Sequence, residues 1–136
     1  MPRIYVSHSI RGKWGKDATP EQMDENNKAA IIFGRALRVF FPEVEWYVPA
    51  DHDEFVCLAY QKKFLSESQI LEVDCEMIKI RDGILFYMPD DYISGGMQIE
   101  KYFAIKHDKP MFDATADVLE HTERFRFALA NWLERI

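Results

Sequence analysis

The chain reads as an α/β fold: a doubly wound, flavodoxin- or Rossmann-like parallel sheet of four to five strands with helices on both faces. Two observations predict it. Short apolar runs of strand length, such as Ile4-Tyr5-Val6 and Ile84 to Tyr87, alternate with longer segments whose apolar residues recur at helical spacing. The two clearest of these runs each lead into a loop rich in Ser, Gly, Asp or Pro, and then into a helix, the order a parallel sheet with covered faces requires. At 136 residues the chain fits one domain, 1–136, without an internal repeat or low-complexity linker.

Element by element, Arg3 to Ser7 predicts a first strand, followed by a loop of turn formers from Ser7 to Gly15. Thr19-Pro20-Glu21-Gln22 carries the marks of a helix start, with Thr19 as N-cap, Pro20 at the first helical position and Gln22 closing a capping box. That helix is expected to run to about Phe41, where Pro42 stops it, with Ile32, Ala36 and Phe40 on one apolar stripe and Phe33, Leu37 and Phe41 on the next. Glu45 to Val48 predicts a second strand. The stretch from Asp51 to Phe64 is ambiguous and reads best as a loop and then a helix, and Ser66 caps a helix reaching Arg81. Gly83 to Met88 is a third strand, a helix spans about Met97 to Lys106, Lys109 to Phe112 is a fourth strand, and Val118 to Glu134 is an amphipathic terminal helix.

Composition narrows the function. A hydrophobic content of 48% is enough for a packed core, and no apolar run approaches the length of a membrane span. With no charged leader and apolar h-region at Met1 to Val6, the expected setting is cytoplasmic. The net charge of −6 argues against a nucleic-acid polymer as partner and leaves room for a small anion held by local donors. Cys57 and Cys75 form no CxxC pair, and His8, His52, His107 and His121 are scattered, so neither a metal nor another cofactor is expected.

In a doubly wound sheet ligands bind beyond the C-terminal strand ends, which directs attention to the loops at Ser7 to Gly15 and Pro89 to Gly96. Glu100 is expected in the first turn of the helix after the second loop, where free N–H groups would keep a carboxylate ionised, as a nucleophile requires. Alone it reads more readily as an ordinary Glu that stabilises the helix dipole. Asp74 has Ile70 four residues before it and Met77 and Ile78 after it, which puts it on an apolar stripe. Desolvation there would raise its pKa, as suits a general acid, unless the stripe is rotated and Asp74 lies at its wet edge. Ser7-His8-Ser9-Ile10-Arg11-Gly12 and Ser94-Gly95-Gly96 each offer hydroxyls and backbone N–H groups to a phosphate. Two carboxylates with two anion sites match the needs of glycosidic cleavage through an oxocarbenium-like transition state.

These residues also carry a family resemblance. Ile4-Tyr5-Val6-Ser7-His8-Ser9-Ile10-Arg11-Gly12 resembles the opening strand and Ser-Ile-Arg-Gly phosphate loop of the 2′-deoxynucleoside 5′-phosphate N-hydrolases, within the nucleoside 2-deoxyribosyltransferase superfamily. Ser94-x-Gly96-x-x-x-Glu100, with Ala104 and Lys109-Pro110 following, resembles that superfamily's Ser/Gly loop, catalytic-Glu helix and next strand. The likeness covers Arg3 to about Phe112, with a poor match between Trp46 and Ser68. It implies Glu100 as nucleophile at C1′ and Asp74 as proton donor to the departing base. It implies Ser9, Ile10, Arg11, Gly12, Ser94 and Gly96 around a 5′-phosphate, Tyr5, Ser7 and His8 near the sugar or base, and a homodimer. The transferases tend to carry an acidic residue where Ser94 stands, so Ser94 tilts the likeness toward a phosphorylated substrate. Three features depart from the pattern: His8 where Gly is usual, Gln98 at the second Gly position, and no recognisable phosphate-contacting C-terminal tail. The interval from Asp74 to Glu100 is also about two residues longer than in the hydrolases.

The sequence-level expectation is hydrolysis of the N-glycosidic bond of a (deoxy)nucleoside 5′-monophosphate, with a small-molecule nucleotide as partner and no membrane. A deoxyribosyltransferase, a TIR-like NAD-cleaving domain and a non-catalytic nucleotide sensor stay open beside it. The TIR-like pattern of Ser-x-x-Cys/Trp-x-x-Glu is not what precedes Glu100.

Overall fold

The structure, a computed structural model, describes residues 1–114 and 118–135, the side chains of 118–124 excepted. Its sheet has four parallel strands: β1 (Arg3–Ser7), β2 (Glu45–Tyr47), β3 (Gly83–Tyr87) and β4 (Met111–Ala114), in the order β2-β1-β3-β4. This is the Rossmann-like α/β architecture that the alternation of strands and helices predicts. β1 and β3 lie at the centre, and every residue of both except Arg3 is buried. That is why they read as continuous apolar runs instead of alternating ones.

Two layers of helix cover the sheet. On one face Ile4, Val6 and Leu85 meet Phe33 and Leu37 of α1 (Pro20–Phe40) and Leu129 and Trp132 of α5 (Val118–Arg135). On the other, Tyr5, Ile84 and Phe86 meet Ile78 of α3 (Glu67–Lys79) and Met97 and Ala104 of α4 (Gly95–Lys106). The Thr19 capping box forms, and the Ser66 cap is completed by Gln69 into a second one. The Gln22 N–H donates to Thr19 Oγ1 at 3.1 Å, and the Gln69 N–H to Ser66 Oγ at 3.2 Å.

Several boundaries differ from expectation. Ile32 is 63% exposed, because a helix lying on a sheet buries one stripe; Phe33 and Leu37 occupy it, and Ile32 is turned about 100° away. Ala36 and Phe40, on the Ile32 stripe, pack at the edge of the core. The stretch read as loop then helix does follow that order, a 3-10 turn (Pro49–His52) leading into α2 (Asp53–Gln61), and no residue of α2 is buried. Without a packed face there is no periodicity to read. β4 begins at Met111, two residues later than expected. Pro110 has no N–H to give a ladder, and the Lys109 Nζ donates instead to the carbonyls of Lys79 at 2.9 Å and Arg81 at 2.7 Å.

Strand order reverses between β1 and β3, so the loops leaving them open a crevice at the C-terminal edge of the sheet. The contact between α1 and the chain after β2 is tight: a Cβ on Gly34 would stand 2.7 Å from Val48 Cγ2. Helix propensity alone would favour Gly34→Ala by up to about 1 kcal/mol, but overpacking costs about 1–3 kcal/mol. Gly34→Ala is therefore expected to lower the melting temperature, and adding Val48→Ala to recover part of the loss, both read by thermal denaturation.

Candidate functional site

The site is assembled on β1. Tyr5 and Ser7, two apart on a strand, project to the same face, toward α4. The Tyr5 hydroxyl donates to Glu100 Oε2 at 2.6 Å, and the Ser7 Oγ donates to Glu100 Oε1 at 2.9 Å. The shorter, from Tyr5, is the length of a hydroxyl bonded to a charged carboxylate, and the Ser7 bond has ordinary hydroxyl length. Glu100 is only 5% exposed.

Its charge state departs from the expectation. Ser94 caps α4, its Oγ accepting from the Met97 N–H at 3.2 Å, so the helix starts at Gly95 and its first turn holds no acidic residue. Glu100 is the sixth residue of α4, beyond the reach of the free N–H groups of the first turn. Burial instead raises its pKa to about 7, Asp74 pushes in the same direction, and the Tyr5 and Ser7 hydrogen bonds only partly oppose them.

Asp74 lies on the apolar side of α3, with Ile78 fully buried and Ile70 and Met77 partly so. Desolvation raises its pKa to about 6, and the Tyr5 hydroxyl favours its ionised form. The Tyr5 hydroxyl therefore interacts with both carboxyl groups, but it has one proton and donates it to Glu100. Neighbouring groups sense the same negative pair. Burial pushes the Tyr5 hydroxyl well up, with Glu100 and Asp74 adding to it, and the same three causes take the Cys75 thiol to about 11.

Tyr47 belongs to this cluster and was missed in the sequence. Its ring stacks on Tyr5 at 5.7 Å and on His52 at 5.3 Å, with the Arg81 guanidinium over it at 4.5 Å. Burial first, then Asp74, raises its hydroxyl pKa. The signal was the strand pairing, since Tyr5 and Tyr47 are register partners in β1 and β2. A single sequence does not print register.

The loop after β1 is folded back on itself. The Gly12 N–H donates to Ser9 Oγ at 2.8 Å, and Asn26 Nδ2 of α1 donates to the Ile10 carbonyl at 2.9 Å. Gly12 has φ +61°, and a Cβ there would stand 2.9 Å from Asn26 Nδ2, so both conformation and space call for glycine. Ile10 is 46% exposed. Arg11 reaches α3, pairing with Glu67 Oε1 at 3.0 Å; both partners are well exposed, so the pair is worth at most about 1 kcal/mol and gives way readily to a better anion. Ser94 is engaged as the cap of α4, and a Cβ on Gly95 or Gly96 would meet nothing within 4 Å, leaving that turn open.

A cavity of about 30 Å³ sits between the loops after β1 and β3, bordered by His8, Ser9, Gly12 and Asp90. A groove of about 720 Å³ runs between α3 and α4. Neither is lined by Glu100 or Asp74. Among the described residues no three His, Cys, Asp or Glu side chains gather as metal ligands, and both cysteines are free.

The chain matches no protein-family model and no curated protein. What the site can do therefore rests on its own chemistry. Two carboxyl groups with raised pKa, coupled through one tyrosine, can hold one proton between them near neutral pH and release it in either direction. No helix among the described residues is long and apolar enough to cross a membrane.

The buried charge has a stability consequence. A folded pKa raised from 4.5 to about 7 means that ionised Glu100 costs the fold roughly 3 kcal/mol, fully felt above pH 7 and absent below about pH 4.5. Glu100→Gln, which keeps the shape, is expected to melt higher than the wild type at about pH 8 and to lose that advantage at about pH 4.5, measured by calorimetry across pH.

Proposed function

We propose that the protein hydrolyses the N-glycosidic bond of a (deoxy)nucleoside 5′-monophosphate, releasing free base and (deoxy)ribose 5-phosphate. The observation that carries this reading is the buried Glu100 carboxylate held by Tyr5 and Ser7 at the C-terminal end of β1, with Asp74 electrostatically coupled to it. In the first step a Glu100 oxygen bonds to C1′ while the bond from C1′ to the base nitrogen breaks, and the Asp74 proton goes to the base. In the second, water bonds to C1′, Glu100 leaves, and Asp74 takes the water proton back. Tyr5 and Ser7 orient the attacking carboxylate. Ser9, Ile10, Arg11, Gly12, Ser94 and Gly96 take the 5′-phosphate, Arg11 exchanging Glu67 for it.

Both carboxyl groups are raised by burial, so the ligand-free pair keeps a proton near neutral pH. The reactive form needs the proton on Asp74, and the Tyr5 hydroxyl supports both placements. A pair of this kind gives a narrow bell-shaped profile. Activity falls at low pH when both groups are protonated and at high pH when neither is.

The expected outcome is base release from a nucleoside monophosphate with a kcat/KM maximum between about pH 6 and about pH 7. Glu100→Ala should lose release by a factor of about 1,000 or more, and Arg11→Ala should raise KM about tenfold with kcat little changed. Chromatography of the products over a panel of ribo- and deoxynucleotides checks all three. Full activity in Glu100→Ala overturns the mechanism, and a new nucleoside formed when free base is added reassigns the acceptor from water to a base.

The same reading includes a cytosolic homodimer. Two unpaired cysteines support the setting, and the groove between α3 and α4, with Val73, Ile80 and Ile99 each about half exposed, supports the dimer. Sedimentation is expected to give a dimer that Ile99→Asp converts to monomer.

A further inference from the structure

Arg81 stands between α3 and β3 and is only 8% exposed. Its place suggests a helix cap, since Nη1 reaches the Met77 carbonyl, but at 3.4 Å that is long for a hydrogen bond. Other cations already serve the end of α3. Arg3 Nη2 donates to the Ile80 carbonyl at 2.6 Å, and Lys109 Nζ to those of Lys79 and Arg81 at 2.9 and 2.7 Å. Among the described residues Arg81 has no ion pair, and its Nε is buried without a hydrogen-bond partner. A buried guanidinium so poorly paired is costly, and capping does not account for it.

What the guanidinium does meet is a ring. It lies 4.5 Å over Tyr47, whose ring stacks on Tyr5 at 5.7 Å and 24°, and the Tyr5 hydroxyl lies 2.6 Å from Glu100. Three contacts thus lead from a permanent cation to the buried acid pair. Around Tyr47 stand Asp74 of α3 and Asp51 and His52 of the 3-10 turn; Asp74 and Asp51 raise its hydroxyl pKa, and Arg81 opposes them. Cys75 senses the pair from α3, and Glu45 and Arg3 act on Arg81 itself. Among the described residues neither Glu100 nor Asp74 has an ion pair, and the Tyr47 hydroxyl makes no hydrogen bond. What Tyr47 gives Tyr5 is therefore its ring.

We propose that Arg81 is a positioning residue: through the face of Tyr47 it clamps that ring against Tyr5, and so keeps the Tyr5 hydroxyl shared between Glu100 and Asp74. The clamp has a directional consequence. The Tyr5 hydroxyl holds both carboxyl groups below where burial alone would put them. A Tyr5 ring free to leave that place withdraws the support, so both groups move up and ionised Glu100 becomes scarcer near neutral pH. A guanidinium suits the task because its plane stacks on an aromatic face, whereas an ammonium offers charge without a plane. The inference rests on the hydrolase reading only for its effect on base release; the titration of the acid pair does not need it.

Carboxyl ¹³C NMR on the full chain titrates Glu100 and Asp74 without substrate, their signals assigned with Glu100→Gln and Asp74→Asn. Arg81→Met, which keeps length but neither charge nor plane, is expected to raise both midpoints above those of the wild type, with Arg81→Lys in between. Tyr47→Leu should raise them as far, and Tyr47→Phe, which keeps the ring, should leave them in place. The double variant Arg81→Met/Tyr47→Leu should go no further than the larger single change, because both break one chain of contacts. Base release should follow, with kcat at pH 7 about tenfold lower in Arg81→Met, KM within about twofold and the optimum at higher pH. Where Arg81→Met does not fold, the contrast between Tyr47→Leu and Tyr47→Phe carries the test. Midpoints unmoved in a folded Arg81→Met or Tyr47→Leu, equal in the two Tyr47 variants, or additive in the double variant overturn the proposal and leave the hydrolase reading untouched. Midpoints that rise as stated in a protein that releases no base from any monophosphate overturn the hydrolase reading and leave the clamp standing.

Discussion

The constraint on which the site depends is a carboxylate kept out of water. Glu100 is held by two hydroxyls from one strand, and those two bonds tie α4 to β1 across the intervening β3. Inside a fold a carboxylate with two hydroxyl donors is tolerated, while one without them would be protonated or expelled. Tyr5 and Ser7 are thus needed twice, once to let the charge exist and once to aim it. The phenol also reaches toward Asp74, which makes the two acids a single titrating unit.

Tension between stability and chemistry follows from the same burial. The surroundings also raise Tyr5, Tyr47 and Cys75. A sequence selected for stability alone would replace Glu100 or Asp74 with a neutral residue. A charge kept at such cost is the pattern expected of a functional site.

Much of this was legible in the chain itself. The capping boxes at Thr19 and Ser66 form because their signals are local, complete within four residues. Asp74 was placed on the apolar side of its helix by periodicity, and that too is local. What the chain could not disclose depends on packing at a distance. Burial dominates the charge state of Glu100, and burial is a property of β1 and α4 together. The start of α4 moved by two residues because Gly95 and Gly96 give no apolar signal, and with it went the idea that a helix terminus holds Glu100 ionised. Tyr47 was invisible because strand register decides its neighbour. The pairing of Arg11 with Glu67 joins residues 56 apart.

β1 carries a further consequence in its reading frame. Odd positions, Tyr5 and Ser7, serve the carboxylates on one side of the sheet, while even positions, Ile4, Val6 and then His8, serve the α1 layer and the loop cavity on the other. Parity along five residues therefore sorts two separate tasks. A single inserted residue upstream of Tyr5 would send the phenol and hydroxyl to the wrong side without altering composition, hydropathy or strand propensity. Substitutions can tune either task alone; an insertion in this strand would disable both together.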